Sequence, residues 1–264
     1  MPRSRRRHPH PLRFFAGAGS LMVTLAAYTP GSPVSQAATI MERDMKIAVS
    51  LIAPPQNATM RINVPFHKQE HSLSCEIASL RSALLALNID VPESILLSAL
   101  PRDATVKAAS ADGGMMWGDP EKGFVGNIDG RMPSTGYGVH APPIQEMAKL
   151  FYADATMIRA DDAAALRAAI DAHHPVLVWT PIGDNPQPTT WNTPEGTTVN
   201  AALYEHTAVV NGYRLNESGD IVEVFLVDPL TGYRSETWEE FVRRTAMLGN
   251  QAIELSPKSF IVSS

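Results

Sequence analysis

One cysteine, Cys75, occurs in the 264 residues, where the polar loop KQEHSLS turns into the apolar-striped CEIASL. A lone thiol at that place can be a small core residue, half of an intermolecular disulfide or a nucleophile. At a helix start the dipole and the unpaired N–H groups favour its thiolate. A free thiol titrates near about 8.5, so a nucleophile working at neutral pH also needs a basic partner, and here that means histidine. Of the eight histidines, His8 and His10 lie in a basic N-terminal segment, and His173 and His174 end a helix before an apolar strand. His67 and His71 are too near Cys75 along one loop to face it across a cleft. His206 opens the apolar strand HTAVVNGY, which puts it at the rim of a sheet.

Asp228 ends the next apolar strand, FLVDP. If the two strands pair, its carboxylate can hold the His206 ring in one tautomer. Gln69, on the loop before Cys75, can join the Cys75 backbone N–H in an oxyanion hole. Each residue alone has an ordinary structural reading, as strand-end histidine, turn carboxylate or loop amide. The order Cys, His, Asp with Gln upstream is what makes a nucleophilic site. Glu76 is the discordant neighbour, because a carboxylate beside a thiol disfavours the thiolate unless it points away.

The elements that must position these residues follow from periodicity. Ile77, Leu80, Leu84 and Leu87 make one helical stripe after Cys75. INVPF (62–66) reads as a short strand with Pro65 at its edge, and Pro92 opens a second helix at its first position. Helices are expected over PPIQEMAKLFY (142–152), DDAAALRAAIDA (161–172) and TWEEFVRRTAML (237–248). PVLVWTPI (175–182) reads as a buried strand. HTAVVNGYRL and IVEVFLVDP, joined by NESGD, read as a hairpin. QAIEL and SFIVSS close the chain as strands, and 183–200 reads as a polar loop carrying Trp191. Helices first and strands later is α+β rather than alternating βαβ.

Residues 103–141 break the periodicity. Eight of the 17 glycines fall between 113 and 138, interleaved with Trp117, Phe124 and Tyr137. A long glycine-rich loop with aromatics is either a surface excursion pinned by them or a wall of the substrate cleft. On the second reading Trp117, Phe124 and Tyr137 are candidate substrate-binding residues.

The chain resembles the papain-fold cysteine peptidases of clan CA, and within them family thirty-nine, the double-glycine leader peptidases, in their secreted, transporter-free form. The residues that carry the resemblance are VPFHKQEHSLSCEIASL, WGDPEKGFVGNIDG, GYGVHAPPI, YEHTAVVNGY and VDPLTGY, spread over about residues 60–255. It implies a nucleophile helix packed on a C-terminal antiparallel sheet. It also implies Cys75 as nucleophile, His206 as base and acid, Asp228 as orienter and Gln69 as oxyanion donor, acting on a peptide or protein substrate. Ser74-Cys75-Glu76 departs from the Asp-Cys-Gly usual around that nucleophile, which leaves a double-glycine leader open as the substrate. Two rivals share the fold: an acyl transferase of the phytochelatin-synthase type, passing the thioester to an amine or thiol, and a non-catalytic peptide-binding module.

The N-terminal region has another logic. MPRSRRRHPHPLR is basic, FFAGAGSLMVTLAAY is uncharged and apolar, and TPGSPVSQAA is small and turn-forming, the order of a secretory signal over 1–37. An uncleaved N-terminal anchor is the alternative, and only through it would the protein touch a membrane. Residues 38–59 read as a linker and 60–264 as the peptidase domain. Removing 1–37 takes five arginines and no acid, moving the formal net charge from −5 to −10. That disfavours a nucleic-acid partner. A lone cysteine and scattered histidines offer no metal-ligand spacing, so no metal or cofactor is expected. The expected protein is an extracytoplasmic monomer.

Overall fold

Residues 207–215 are buried on both faces at every position except Arg214, which a strand achieves only inside a sheet covered on both sides. The rest of the architecture is built around that strand. In the computed structural model, which describes residues 58–110, 113–183 and 185–258, the chain begins with β1 (Thr59–Arg61), α1 (Cys75–Ala86), α2 (Glu93–Ala99) and β2 (Arg102–Asp103). It continues through β3 (Ala108–Ala109), β4 (Met115–Met116), β5 (Phe124–Gly126), β6 (Gly136–Gly138), α3 (Ala141–Leu150) and β7 (Ala153–Arg159). Then come α4 (Ala163–Asp171), β8 (Val176–Trp179), β9 (Pro188–Asn192), β10 (Thr198–Ala202), β11 (Thr207–Leu215) and β12 (Ile221–Asp228). β13 (Gly232–Thr237), α5 (Trp238–Thr245) and β14 (Gln251–Pro257) follow.

The main sheet has seven strands in the order β13-β12-β11-β8-β14-β7, with β1 also on β11, and every pairing is antiparallel. α1 lies on it and sends Ile77, Leu80, Ala83 and Leu84 into the core. This is the α+β arrangement expected from the sequence, with the helix that Cys75 opens packed on an antiparallel sheet.

INVPF is not a strand. The β1 ladder lies just before it, and beyond it only Ile62 is tied to β11, its N–H donating to Asn211 O at 2.8 Å and its carbonyl accepting from Asn211 Nδ2 at 3.2 Å. Pro65 has no N–H with which to continue a ladder. Where β1 meets β11, a Cβ on Gly212 would lie 2.3 Å from Met60 O, so only glycine admits the strand.

Pro92 occupies the N-cap of α2 rather than its first turn. The glycine-rich segment and the polar 183–200 stretch are more ordered than their composition suggests. β2, β5 and β6 form one small sheet, and the β9–β10 hairpin joins β4 and β3 in another. Trp117, Tyr137 and Trp191 hold the two together, with Tyr137 edge-on to Trp191 at 4.9 Å between ring centroids. β2 to β6, of two or three residues, are too short to show a period of two, and the five-residue β9 and β10 read PTTWN and TVNAA, polar enough to pass for loop. β7, ADATMIR, was also missed, because its polar Asp154 and Thr156 hide an edge strand. The expected signal segment 1–37 and the SFIVSS strand lie outside the described residues. Among the described residues no helix is long and apolar enough to cross a membrane.

Candidate active site

Cys75 is the first residue of α1 and is buried, with Ser74 at the N-cap. The Ser74 side chain accepts from no N–H of the helix, and its hydroxyl donates to Glu93 Oε1 at 2.6 Å. Glu93, the first residue of α2 and itself buried, also accepts from the Glu70 N–H and pairs with His67 Nε2 at 2.7 Å. One carboxylate therefore clasps the loop 67–74 on which Gln69 sits. The Gln69 N–H donates to Pro229 O at 3.1 Å, which ties the same loop to the end of β12.

β11 and β12 pair with Val209 opposite Val227. One step further, Asp228 faces Ala208, and His206 lies diagonal to it on the same face, within reach of a long side chain. His206 Nε2 meets Asp228 Oδ1 at 3.1 Å, and both residues are buried. Oδ1 also accepts from the Leu230 and Thr231 N–H groups, and Oδ2 accepts from Arg234 Nε at 2.9 Å. Burial opposes ionisation of Asp228. The His206 hydrogen bond and charge, the Leu230 N–H and Arg234 outweigh it and hold the carboxyl well below its usual range. With Nε2 donating to Asp228, the other ring nitrogen, Nδ1, is left to act as base.

Cys75, Gln69 and His206 line one cavity of about 90 Å³, whose walls include Leu73, Tyr137, Glu205 and Leu230. Ser79, one turn along α1 from Cys75, donates to Thr207 O at 2.9 Å and fixes the helix against the start of β11. The thiol itself donates to Glu76 Oε2 at 3.3 Å. Burial, then the Glu76 and Glu205 carboxyls, push it well above an ordinary thiol, and the Thr207 N–H acts the other way. That environment favours the thiol over the thiolate. Glu76 does not point away: burial pushes its carboxyl up to about 7, although the Val139 N–H donates to it at 2.7 Å.

Gln69 faces the cavity, yet its Nε2 donates to the loop carbonyls of His71 and Ser72 at 2.7 and 3.0 Å. Of the three aromatics expected at a substrate wall, Tyr137 lines the cavity. Trp117 lines a separate groove of about 400 Å³ with Asp103, Thr105, Lys107 and Thr135. Phe124 is placed in the main core, 1 % exposed, rather than at a cleft. It was the apolar member of a strand too short to be recognised.

Two groups among the described residues bring ligand-type atoms together: His67, Glu70 and Glu93, and Cys75, Glu76 and Glu205. Neither fits a metal. Glu93 is already satisfied by the loop it clasps, and the Glu76 oxygens take the Val139 N–H and the Cys75 thiol. Glu205 is the residue sequence reasoning passed over. It sits beside His206 in YEH, and a carboxylate next to a strand-entry histidine was the available signal.

The model of the Peptidase C39 like family matches residues 61–253. The chain belongs to that family. A C39-like peptidase from Bacillus anthracis superposes with a TM-score of 0.62 at 28% identity, covering 77% of this chain and all of that one. Two more distant structures also align. The double glycine motif protease of an AMS/PCAT transporter, solved in complex with the leader peptide, has a TM-score of 0.42 at 15% identity and covers 75% of this chain and 95% of its own. The peptidase domain of Streptococcus ComA, a bifunctional ABC transporter of a quorum-sensing pathway, has 0.43 at 16%, covering 74% and 100%. No curated protein matches. This member of the Peptidase C39 like family is a cysteine peptidase with a papain-like fold.

Proposed function

We propose that the protein hydrolyses peptide bonds outside the cytoplasm through Cys75, His206 and Asp228. The observation that carries this reading is the shared cavity of Cys75 and His206, with the far side of the imidazole tied to a buried, ionised Asp228. His206 Nδ1 takes the Cys75 proton as the sulfur attacks the substrate carbonyl carbon. The oxyanion that forms is stabilised by the Cys75 N–H and by the Gln69 amide, which must swing from its loop carbonyls into the cavity. His206 then protonates the leaving amine, the C–N bond breaks and a thioester remains. Water, deprotonated by His206, attacks the thioester and frees the acid and the thiol. A cavity this small admits a small side chain or bare backbone, and exposed Tyr204 and Leu230 on its wall offer apolar contact to the flanking peptide. Export rests on the basic, apolar and small order of residues 1–37.

Labelling with a panel of peptidyl thiol-reactive probes tests the reading. Cys75 should be modified in the native protein and in Asp228→Asn more slowly. Cys75→Ala should abolish both labelling and peptide cleavage. Cleavage that survives Cys75→Ala, or labelling unchanged by His206→Ala, would sink it. Adding an amine acceptor to the reaction and identifying the products separates hydrolysis from acyl transfer.

A further inference from the structure

Glu76 and Glu205 approach each other behind the nucleophile. Oxygens of both, together with the Cys75 sulfur, lie within 4.8 Å of one another. Both side chains are buried, and neither enters an ion pair among the described residues. The two Glu205 oxygens are buried without any hydrogen-bond partner. A cationic or donor-rich environment, such as the one around Asp228, is missing here. Two carboxylates this close in a dry site cannot both be ionised, because their repulsion adds to the desolvation of each. One proton held by the pair removes one of the two charges and turns a carboxyl oxygen into an O–H donor, which the described residues otherwise do not supply to Glu205. The backbone is shaped for the contact: Gly138 has φ +146°, and a Cβ there would lie 2.6 Å from Glu205 Oε2 and 2.6 Å from Glu76 Oε1.

We propose that Glu76 and Glu205 share one proton in the resting enzyme, and that Glu205 is a positioning residue acting on Cys75 through Glu76. While the pair holds its proton it carries a single charge, and Glu76 keeps an oxygen free to accept the thiol and another for the Val139 N–H. When that proton leaves, a second negative charge appears beside the sulfur and thiolate formation is opposed. The directions found for the two carboxyls, both raised by burial, agree. The other titratable groups facing the pair are Cys75 from α1, Tyr137 from β6 with its partner His140, and His206 before β11; none is a lysine or arginine. The protons of such a pair come off in two steps that belong to both residues.

This inference builds on Cys75 as the nucleophile, so one readout is independent of reactivity. In chelator-treated full-length protein at neutral pH, the infrared carbonyl stretch of a protonated buried carboxyl should be present, should shift in frequency in each of Glu205→Gln and Glu76→Gln as its partner is lost, and should vanish when both are replaced. Its absence from the native protein, its persistence when both are replaced, or an unshifted band in both single variants overturns the shared proton. The second readout is the rate of Cys75 alkylation against pH. Native protein and Glu205→Gln should coincide while the pair keeps its proton. Above that pH Glu205→Gln should react at least about tenfold faster, as expected for removing a charge a few ångströms away. Curves that coincide throughout, or differ by one constant factor at every pH, overturn the positioning role. An infrared band with a Cys75 that never reacts would refute the nucleophile reading and leave the shared proton standing.

Discussion

Two buried acidic positions flank His206, and they are built in opposite ways. Asp228 receives a ring N–H, two backbone N–H groups and a guanidinium, and it stays ionised despite burial. Glu205 and Glu76 meet each other and a thiol, with backbone donors to Glu76 alone, from Val139 and from its own N–H, and both are pushed up. Residue type is almost the same on both sides. The donors differ, and the donors decide which carboxyl carries charge at neutral pH. One side can orient an imidazole; the other can hold a proton.

The comparison breaks most severely at Asp228. Asp228→Asn keeps the shape but loses the charge and the tautomer preference, and kcat/KM should fall by about 10⁴-fold, as expected when a triad orienter is neutralised. Steady-state kinetics check this, and a loss below tenfold would remove Asp228 from the mechanism. Next comes Gly138→Ala, which drives a methyl between the two carboxyls and forces an unfavourable φ. It should lower stability by about 1–3 kcal/mol in denaturant titration.

Stability against pH separates the two sides by sign. Asp228 is depressed when folded, so its contribution is present above the usual carboxylate range and is lost on acidification. Glu76 is raised from 4.5 to about 7, so its contribution is present at low pH and is lost as pH rises through about 7. Glu76→Gln should flatten the decline between those values, by at most about 1.4 kcal/mol per pH unit for one proton, and leave the acid limb intact. A melting-temperature series from pH 4 to 8 reads it, at about those bounds. The smallest effect is expected from Arg234→Gln. It removes one of four donors to Asp228 and should cost about 0.5–1.5 kcal/mol, with a several-fold loss of activity.

How much of this was legible follows from the same contrast. Cys75, His206 and Asp228 stand at element boundaries with long periodic runs beside them, and such runs show in a sequence. Four strands of the main sheet, β8, β11, β12 and β14, and all five helices were visible for that reason, while β1, β7 and β13 were not. Glu76 was recognisable as an anomaly but not as half of a pair, since its partner is 129 positions away, with only proximity to His206 to mark it. The small sheets around Trp117 and Trp191 were invisible because tertiary aromatic packing, not local propensity, orders strands that are short or, as in β9 and β10, polar in composition. Phe124 was misplaced by the same blindness. Its loop composition suggested a cleft, and its neighbours placed it in the core.

The Glu93 clasp carries a consequence for the segment before Cys75. Glu93 belongs to a separate short helix, and the loop it grips carries both Gln69 and the helix start that presents Cys75. Without α2, Ser74, Glu70 and His67 lack their common acceptor, and the segment keeps only its other ties, such as Gln69 N–H to Pro229 O and Leu73 N–H to Ile128 O. The shape of the loop before Cys75 therefore depends on a helix that contributes no reacting atom.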